Sequence, residues 1–356
     1  MLSENKRTVP DQDVRFRVLL VKLKHIGDAL MMTPAICAIR QCYPNAEITV
    51  VVRAGTEGIL AGCLAIDHII TASPAESHRR TFSSALGDVR TWLEIRGLRY
   101  DYAFELTDGD RGRWLAGMGG ARHRCVNTSL YQLNFWWRSW FNQVSDSKWD
   151  SGHRVEKDFH AISDFLPLDG EIPRLCFERS RTAEPEIIKD LEDFAVIHPG
   201  TRWIKKKWPR ESWIKLGKSL LHRVQTIVIS CGPDEGERQF ARGLVDALGS
   251  ERVISADGKL GWAELAGMLY RARVFVGVDT AAMHLAAACQ CPTVAFFAYS
   301  IISQWSPWRV AHELIHLEDD FTLVEIKKLS IKEVMALLTP EKALAAVDRL
   351  IRPAIK

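Results

Sequence analysis

A rhythm constrains this chain more than any other feature: short valine- and isoleucine-rich runs, each followed by a helical pattern, recur through both halves. In the first half the runs are RVLLVKL (17–23), EITVVV (47–52), DHIIT (67–71) and DYAFEL (101–106), with AICAIRQCY and ALGDVRTWLEIRGL among the stretches between them. In the second they are FAVIHPG (194–200), QTIVIS (225–230), RVISA (252–256), RVFVGV (273–278) and TVAFFA (293–298), with WIKLGKSLLHR and AAMHLAAAC between. An unbroken apolar run is a strand buried on both faces, and strands that alternate with helices join in parallel. The rhythm predicts an α/β chain of two Rossmann-like halves with a cleft between them, and 356 residues are long for one core. It breaks between about 142 and 192, a polar stretch with prolines at 167, 173 and 185, which puts the boundary near 175–190. The expected division is a flexible N-terminus (1–15), a first domain (16–180), a second (181–330) and terminal helices (331–356) packing back on the first domain.

Several function classes drop out early. Lys and Arg total 47 against 44 Asp and Glu, a formal charge of +3, so no cationic excess marks a nucleic-acid binder. Local charge is less even: Arg111, Arg113, Arg122, Arg124 and Arg138 form either a solvated face or a dock for an anionic substrate. The cysteines at 37, 42, 63, 125, 176, 231, 289 and 291 include no C-x-x-C and read as small apolar residues of a reducing cytoplasm, with no metal site expected. No signal-peptide core precedes the first strand and no apolar run reaches bilayer-spanning length. NFWWRSWF (134–141) reads as core or interdomain packing, with a membrane-facing patch as the alternative.

Ligands of open parallel sheets sit at the carboxyl ends of the strands, and the informative residues follow the strand runs. In GVDTAAMHLAAA (277–288), Asp279-Thr280 open a helix beginning with Ala281 and Ala282, small enough for phosphate to approach the helix N-terminus. Asp279 suits a sugar hydroxyl; the plainer reading makes it an N-cap and His284 a core histidine. IHPGTRWIKKKWPRESW (197–213) sets Thr201, Arg202 and three lysines in a strand-end loop, a diphosphate cradle or a solvated basic loop. SCGPDEGERQF (230–240) carries Asp234, Glu235 and Glu237, acids that can grip ribose hydroxyls or complement a helix dipole. In KHIGDALMMTP (24–34), Thr33-Pro34 reads as a fresh helix cap, leaving Asp28 at the sheet edge to take a proton from an acceptor hydroxyl. Its lone glycine is not G-x-G-x-x-G, which disfavours a nicotinamide oxidoreductase.

GDALMMTP, HPGTRWIKKKWP and GVDTAAMHLAAA, in that order, make the chain resemble the bacterial lipopolysaccharide heptosyltransferases over about residues 16–350. KHIGD, ELTDGDRGRW (105–114) and SCGPD are most similar to the heptosyltransferase III branch. The resemblance implies a GT-B fold, two Rossmann-like domains with parallel sheets facing a central cleft. It implies inverting, metal-free transfer of heptose from ADP-heptose to the phosphorylated lipopolysaccharide inner core, with no cofactor. The site would be cytoplasmic, on the inner face of the inner membrane, with peripheral contact and no nucleic acid. Asp28 would be the general base. Thr201 and Lys206, with Lys205 or Lys207 as alternatives, would contact the diphosphate, and Leu260 the adenine. Asp234 or Glu235 would reach the ribose, and Asp279 the heptose, with the amides of Thr280, Ala281 and Ala282 near the diphosphate and His284 supporting the loop. Arg111 and Arg113 would dock the acceptor. Heptosyltransferase I or II activity, differing in acceptor, and a non-catalytic nucleotide-sugar-binding module are the alternatives. The stretch AYSIIS (298–303) departs from the family's Gly-x-Thr-Asp-like loop.

Overall fold

A computed structural model of the chain describes residues 14–73, 82–128, 133–147, 152–298, 300–318 and 321–351, so nearly all of the N-terminal stretch expected to be flexible lies outside the described residues. The chain divides into two compact units, Met1–Cys176 and Phe177–Lys356.

The first unit holds strands β1 (Arg17–Lys22), β2 (Glu47–Arg53), β3 (His68–Ala72), β4 (Tyr102–Glu105), β5 (His123–Asn127) and β6 (Gln143–Ser145). Its helices are α1 (Ile26–Met31), α2 (Thr33–Cys42), α3 (Phe82–Leu98), α4 (Asp110–Met118), α5 (Phe135–Arg138) and α6 (Arg154–Ser163). The strands form one parallel sheet in the order β3-β2-β1-β4-β5-β6, with Val18 of β1 level with Ile48 and Tyr102 on its two neighbours. Val18, Leu19, Leu20 and Val21 are fully buried because helices cover both faces, as the unbroken run requires. Strand order reverses at β1, so the gap between the carboxyl ends of β1 and β4 is the switch point of this sheet.

The second unit repeats the plan with β7 (Phe194–His198), β8 (Thr226–Ile229), β9 (Val253–Ser255), β10 (Val274–Val278), β11 (Thr293–Phe296) and β12 (His312–Ile315). Its helices are α7 (Arg210–Leu220), α8 (Glu235–Leu248), α9 (Trp262–Arg271), α10 (Ala281–Ala288), α11 (Ile302–Trp305), α12 (Leu323–Lys328), α13 (Ile331–Leu337) and α14 (Pro340–Leu350). The order is β12-β11-β10-β7-β8-β9, and its switch point lies between β7 and β10.

Three strands escaped the sequence reading: β5 (HRCVN), β6 (QVS) and β12 (HELI). Two of them are sheet edges and the third is next to one, so their polar residues face solvent and no apolar run marks them. The terminal helices need a correction. They belong to the second unit, where Val334, Leu338, Ala343, Ala346 and Val347 are buried in the core that also holds Trp213 and Leu220. Arg223–Asp348 (2.9 Å) and Arg349–Glu313 (2.8 Å) tie α14 to that unit.

The expectation for NFWWRSWF also changes. Helix α5 buries no residue; Phe135 is 87% exposed and Trp136 65%. The end of the stretch does meet the core expectation: Phe141 is buried in the first unit's core, and Trp140 packs against it, its ring 4.9 Å from Trp137. Among the described residues no helix is long and apolar enough to cross a membrane.

Candidate active site

Each sheet offers one set of polar groups at its switch point. In the first unit, β1 gives way to a loop at 23–25 and then to α1. Asp28 is 5% exposed and sits in the first turn of α1, where its Oδ2 accepts the His25 backbone N–H at 3.1 Å. It closes a capping box, satisfying a backbone donor that the helix start would otherwise strand. That is the only hydrogen bond to this carboxylate among the described residues. Thr33 is not the cap expected of it: Met32 links α1 to α2, and the Thr33 hydroxyl donates back to Leu30 O (2.7 Å).

The loop after β4 locks this start in place. Leu23 N–H donates to Thr107 Oγ1 (2.9 Å), whose hydroxyl donates to Val21 O (3.2 Å). Asp108, in the left-handed region at φ 58°, accepts Lys24 Nζ (3.2 Å) and a close bond from Lys157. An aspartate tolerates that backbone better than most residues, and here its two cations hold it there. Burial pushes the Asp108 carboxyl up, and Lys157 then Lys24 more than reverse this, so its pKa lies below the ordinary value. Glu105, fully buried at the end of β4, accepts Thr107 N–H (2.8 Å) and Asp108 N–H (3.3 Å). Burial, then the nearby Asp108 charge, push its pKa up to about 7. Lys22 and Asp158 form a further buried pair beneath.

The arginines expected to dock an acceptor are otherwise engaged. Arg111 is paired with Asp88 (Nε–Oδ1 3.0 Å), and Arg113 with Asp110 (3.1 Å). Arg124 donates to Trp140 O (2.7 Å) and Ala121 O (3.0 Å), which leaves Arg122 and Arg138 as the exposed cations of that stretch.

In the second unit Lys206 reaches across the switch point from the β7 loop to the end of β10. Its Nζ lies 2.5 Å from Asp279 Oδ2 and 3.1 Å from Asp279 O. Its neighbours Lys205 and Lys207 are exposed. Two residues on, Trp208 explains the precision: it is buried, donates its indole N–H to Leu338 O (2.6 Å) and packs on Phe296 (4.3 Å) and Trp213 (4.8 Å). Thr201 is buried too, and its Oγ1 accepts Trp203 N–H (3.2 Å).

Asp279 is 7% exposed, with His284 Nε2 4.0 Å from its Oδ1 and the Ser300 hydroxyl donating to Oδ2. Asp279 is not the N-cap of α10; Thr280 is, yet Thr280 makes no side-chain capping bond, and its buried Oγ1 has no partner among the described residues. Ala281 and Ala282 follow, so the first amides of α10 meet no bulk. Free N–H groups, a helix dipole and one ammonium at a sheet edge suit a phosphate group.

The acids of the β8 loop divide their work. Asp234 spends its carboxylate as N-cap of α8, accepting Gly236 N–H (2.9 Å) and Glu237 N–H (3.3 Å). Glu235 is exposed beside Arg242 (3.5 Å). Glu237 alone turns to the strand ends: it accepts Gly232 N–H (2.8 Å), and a Cβ at Gly200 would come within 2.3 Å of its Oε2. Leu260 lies half-buried on the adjoining loop, where Gly258 at φ 61° brings the backbone against Gly232 O; a Cβ there would sit 2.4 Å from that oxygen.

Sequence reasoning thus missed Ser300 and the buried pair His198 Nδ1–Ser230 Oγ (2.9 Å), and it did not single out Glu237 from the three acids of its loop. Burial pushes the His198 pKa down to about 4, which makes it a neutral strut at the end of β7. Its place in HPG was the available signal. Ser300, in AYSIIS, had none.

Known proteins place the fold. The model for glycosyltransferase family 9 (heptosyltransferase) matches residues 89–347. Lipopolysaccharide heptosyltransferase 3 of Escherichia coli K12 is 24% identical over 80% of this chain and 83% of its own, and lipopolysaccharide heptosyltransferase 1 of Pseudomonas aeruginosa is 24% identical over 79% and 78%. The crystal structure of a glycosyl transferase family 9 protein from Veillonella parvula superposes with TM-score 0.80 at 18% identity, covering 96% of this chain and 99% of its own. E. coli heptosyltransferase WaaC, solved with ADP, gives 0.76 at 18% identity, covering 94% and 99%. Two Rossmann-like units of this strand order are the GT-B fold of such enzymes. With most of its length matched by the family model, the chain belongs to glycosyltransferase family 9, the heptosyltransferases.

Proposed function

We propose that this chain transfers heptose from ADP-heptose, with inversion, to the lipopolysaccharide inner core, as a heptosyltransferase III. The observation that carries the reading is the Lys206–Asp279 pair beside the uncrowded start of α10. There the Lys206 ammonium and the amides of Thr280, Ala281 and Ala282 bind the diphosphate, with Thr201 beside them. Lysine has three N–H donors, and the two that point at Asp279 leave one for a phosphate oxygen. Asp279 accepts a heptose hydroxyl, held in place by Ser300 and His284. Leu260 lies against adenine. Glu237 is better placed for the ribose than Asp234 or Glu235, because Asp234 is used as a cap and Glu235 faces outward.

Asp28 removes the acceptor hydroxyl's proton. The freed oxygen attacks the anomeric carbon from the face opposite ADP, the bond from that carbon to the diphosphate oxygen breaks, and ADP departs with the electron pair. Charge growing on the diphosphate is met by Lys206 and the α10 amides, so no metal ion is required. Turnover that falls on adding a chelator while the thermal midpoint stays unchanged would contradict that.

The acceptor is carried on lipid, and the reading places the enzyme at the cytoplasmic face of the inner membrane. Exposed Phe135 and Trp136 beside Arg138 support peripheral contact with an anionic surface. The double variant F135S/W136S is expected to lose sedimentation with anionic vesicles; undiminished binding removes α5 from that role.

The deciding experiment incubates the chain with ADP-heptose and truncated core acceptors and weighs the products. Type III activity adds one heptose to acceptors that already bear the main-chain heptoses. Addition to a heptose-free acceptor reassigns the chain to type I, and no addition to any acceptor favours a binding module.

A further inference from the structure

Residues 165–176 end the first unit by running along α2. Tyr43 Oη donates to Pro167 O (2.9 Å), the Asp169 N–H donates to Cys42 Sγ (3.3 Å), and the Cys176 N–H donates to Thr33 Oγ1 (3.0 Å). The segment is therefore pinned at both ends of the helix. Cys37 lies on α2 between those pins, and Cys63 enters from the turn after Glu57–Leu60, its own N–H held by Leu60 O at 2.9 Å. The sulphurs of Cys37, Cys63 and Cys176 consequently all lie within 4.8 Å of one another, with Cys63 buried and the other two half-buried. The scattered spacing that argued against a metal site in the sequence is overcome by the fold.

We propose that Cys37, Cys63 and Cys176 bind Zn(II). Sulphurs sharing one tetrahedral zinc at ~2.3 Å stand roughly 3.8 Å apart, a spacing that small side-chain rotations reach from the present one. An all-sulphur set discriminates against Mg(II) and Ca(II), which take oxygen. Three thiolates around Zn(II) leave a single negative charge, whereas a monovalent ion would leave two in a largely buried place, at greater desolvation cost. The half-buried side, formed by Cys37 and Cys176, leaves the fourth position to water. Thiols bind zinc as thiolates, so the ion enters by displacing thiol protons to solvent. Bound there, it joins α2, the 57–63 turn and the segment leading out of the unit. Buried thiols elsewhere lack this convergence: Cys291 Sγ, next but one to Cys289, meets Ala272 O (3.7 Å) instead of further sulphur ligands.

The test uses the full chain, kept reduced with a phosphine, stripped with chelator and titrated with Co(II). One equivalent is expected to give thiolate-to-cobalt charge-transfer absorption in the near ultraviolet, which one equivalent of Zn(II) abolishes. Zn(II) should also release protons into dilute buffer and raise the thermal midpoint. Cys63→Ser is expected to lose the absorption; Cys176→Ser, at a less buried position, repeats the test should the first variant fail to fold. Cys289→Ser should leave every reading unchanged. No saturable absorption in the wild-type chain, or absorption that survives in a folded Cys63→Ser or Cys176→Ser variant, overturns the proposal. The readouts are spectroscopic and thermal, so they stand apart from the transferase reading.

Discussion

At the first unit's switch point Lys24 reaches from the β1 loop to Asp108 at 3.2 Å; at the second's, Lys206 reaches from the β7 loop to Asp279 at 2.5 Å. The sheets share a strand order, and each ties its switch point with a lysine and an aspartate. Around the first pair the charges are crowded. Asp108 also holds Lys157, Lys22 and Asp158 pair beneath, and Glu105 is buried with its pKa at about 7. Around the second the described neighbours are a hydroxyl, a histidine and the alanines that open α10. One edge neutralises itself and holds a loop rigid; the other keeps a single cation beside open helix amides. A rigid carboxylate is what proton transfer needs, and an ammonium with one N–H still to give is what an anion needs.

The largest expected effect tests the first half of that contrast. Asp28→Asn retains an oxygen for the His25 N–H, so the start of α1 should persist. Turnover is expected to fall by ~10²–10⁴, the range for losing a general base. ADP affinity, read by calorimetry, should not move. Turnover close to wild type would remove Asp28 from the chemistry.

Glu105 tests whether the crowding costs stability. Its folded pKa of about 7 lies above the ordinary glutamate value of 4.5, so between those values the unfolded chain has released a proton that the folded chain retains. Stability contributed by the protonated form is full below the unfolded pKa and is lost as pH rises toward 7. The shift corresponds to about 3 kcal/mol as an upper figure. Glu105→Gln should flatten the decline in thermal midpoint between pH 5 and pH 8 and be the more stable protein at the alkaline end. A decline equally steep in the variant would place the titration elsewhere.

The two edges also differed in how far the sequence exposed them. Strand-end loops fell where apolar runs stopped, so Asp28, Asp279 and the three-lysine run could be picked out by position, while Lys206 was singled out of that run only by the family resemblance. What those loops exchange across a switch point is long-range, and no local pattern encodes it. Lys24 and Asp108 meet over 84 residues, Lys206 and Asp279 over 73, and Ser300 arrives from a loop whose sequence suggested only a departure from the family. Arg111 and Arg113 looked like a surface because their partners, Asp88 and Asp110, are found by packing α3 on α4 and by a helical turn. Glu237 was one of three adjacent acids, and only the helix phase decides which of them turns inward.

Lys206→Ala addresses the other half of the contrast. A hydrogen bond to a charged group contributes about 1.5–3 kcal/mol, which predicts a loss of ADP affinity of roughly 10- to 100-fold. Asp279 would then keep only the Ser300 hydroxyl and the more distant His284, so the start of α10 should also exchange amide protons faster. Unchanged affinity would move the diphosphate contact to a neighbouring lysine and undo the contrast between the two pairs.

The smallest effect comes from the matching lysine of the first unit. Lys24 is about one-third exposed and shares Asp108 with the more buried Lys157, so Lys24→Ala leaves the carboxylate paired. An exposed member of a network contributes about 0–1 kcal/mol, and the thermal midpoint should barely shift. ADP affinity should equal that of the wild type. Turnover separates two roles for this residue: a simple tether predicts a change of a few-fold at most, since Leu23 and Thr107 still hold the loop at 2.9 Å. A large fall in turnover with stability and ADP affinity intact would mean that the Lys24 ammonium meets the acceptor itself. The first switch point would then also keep a cation for substrate, and the contrast would narrow to the number of lysines each edge can spare.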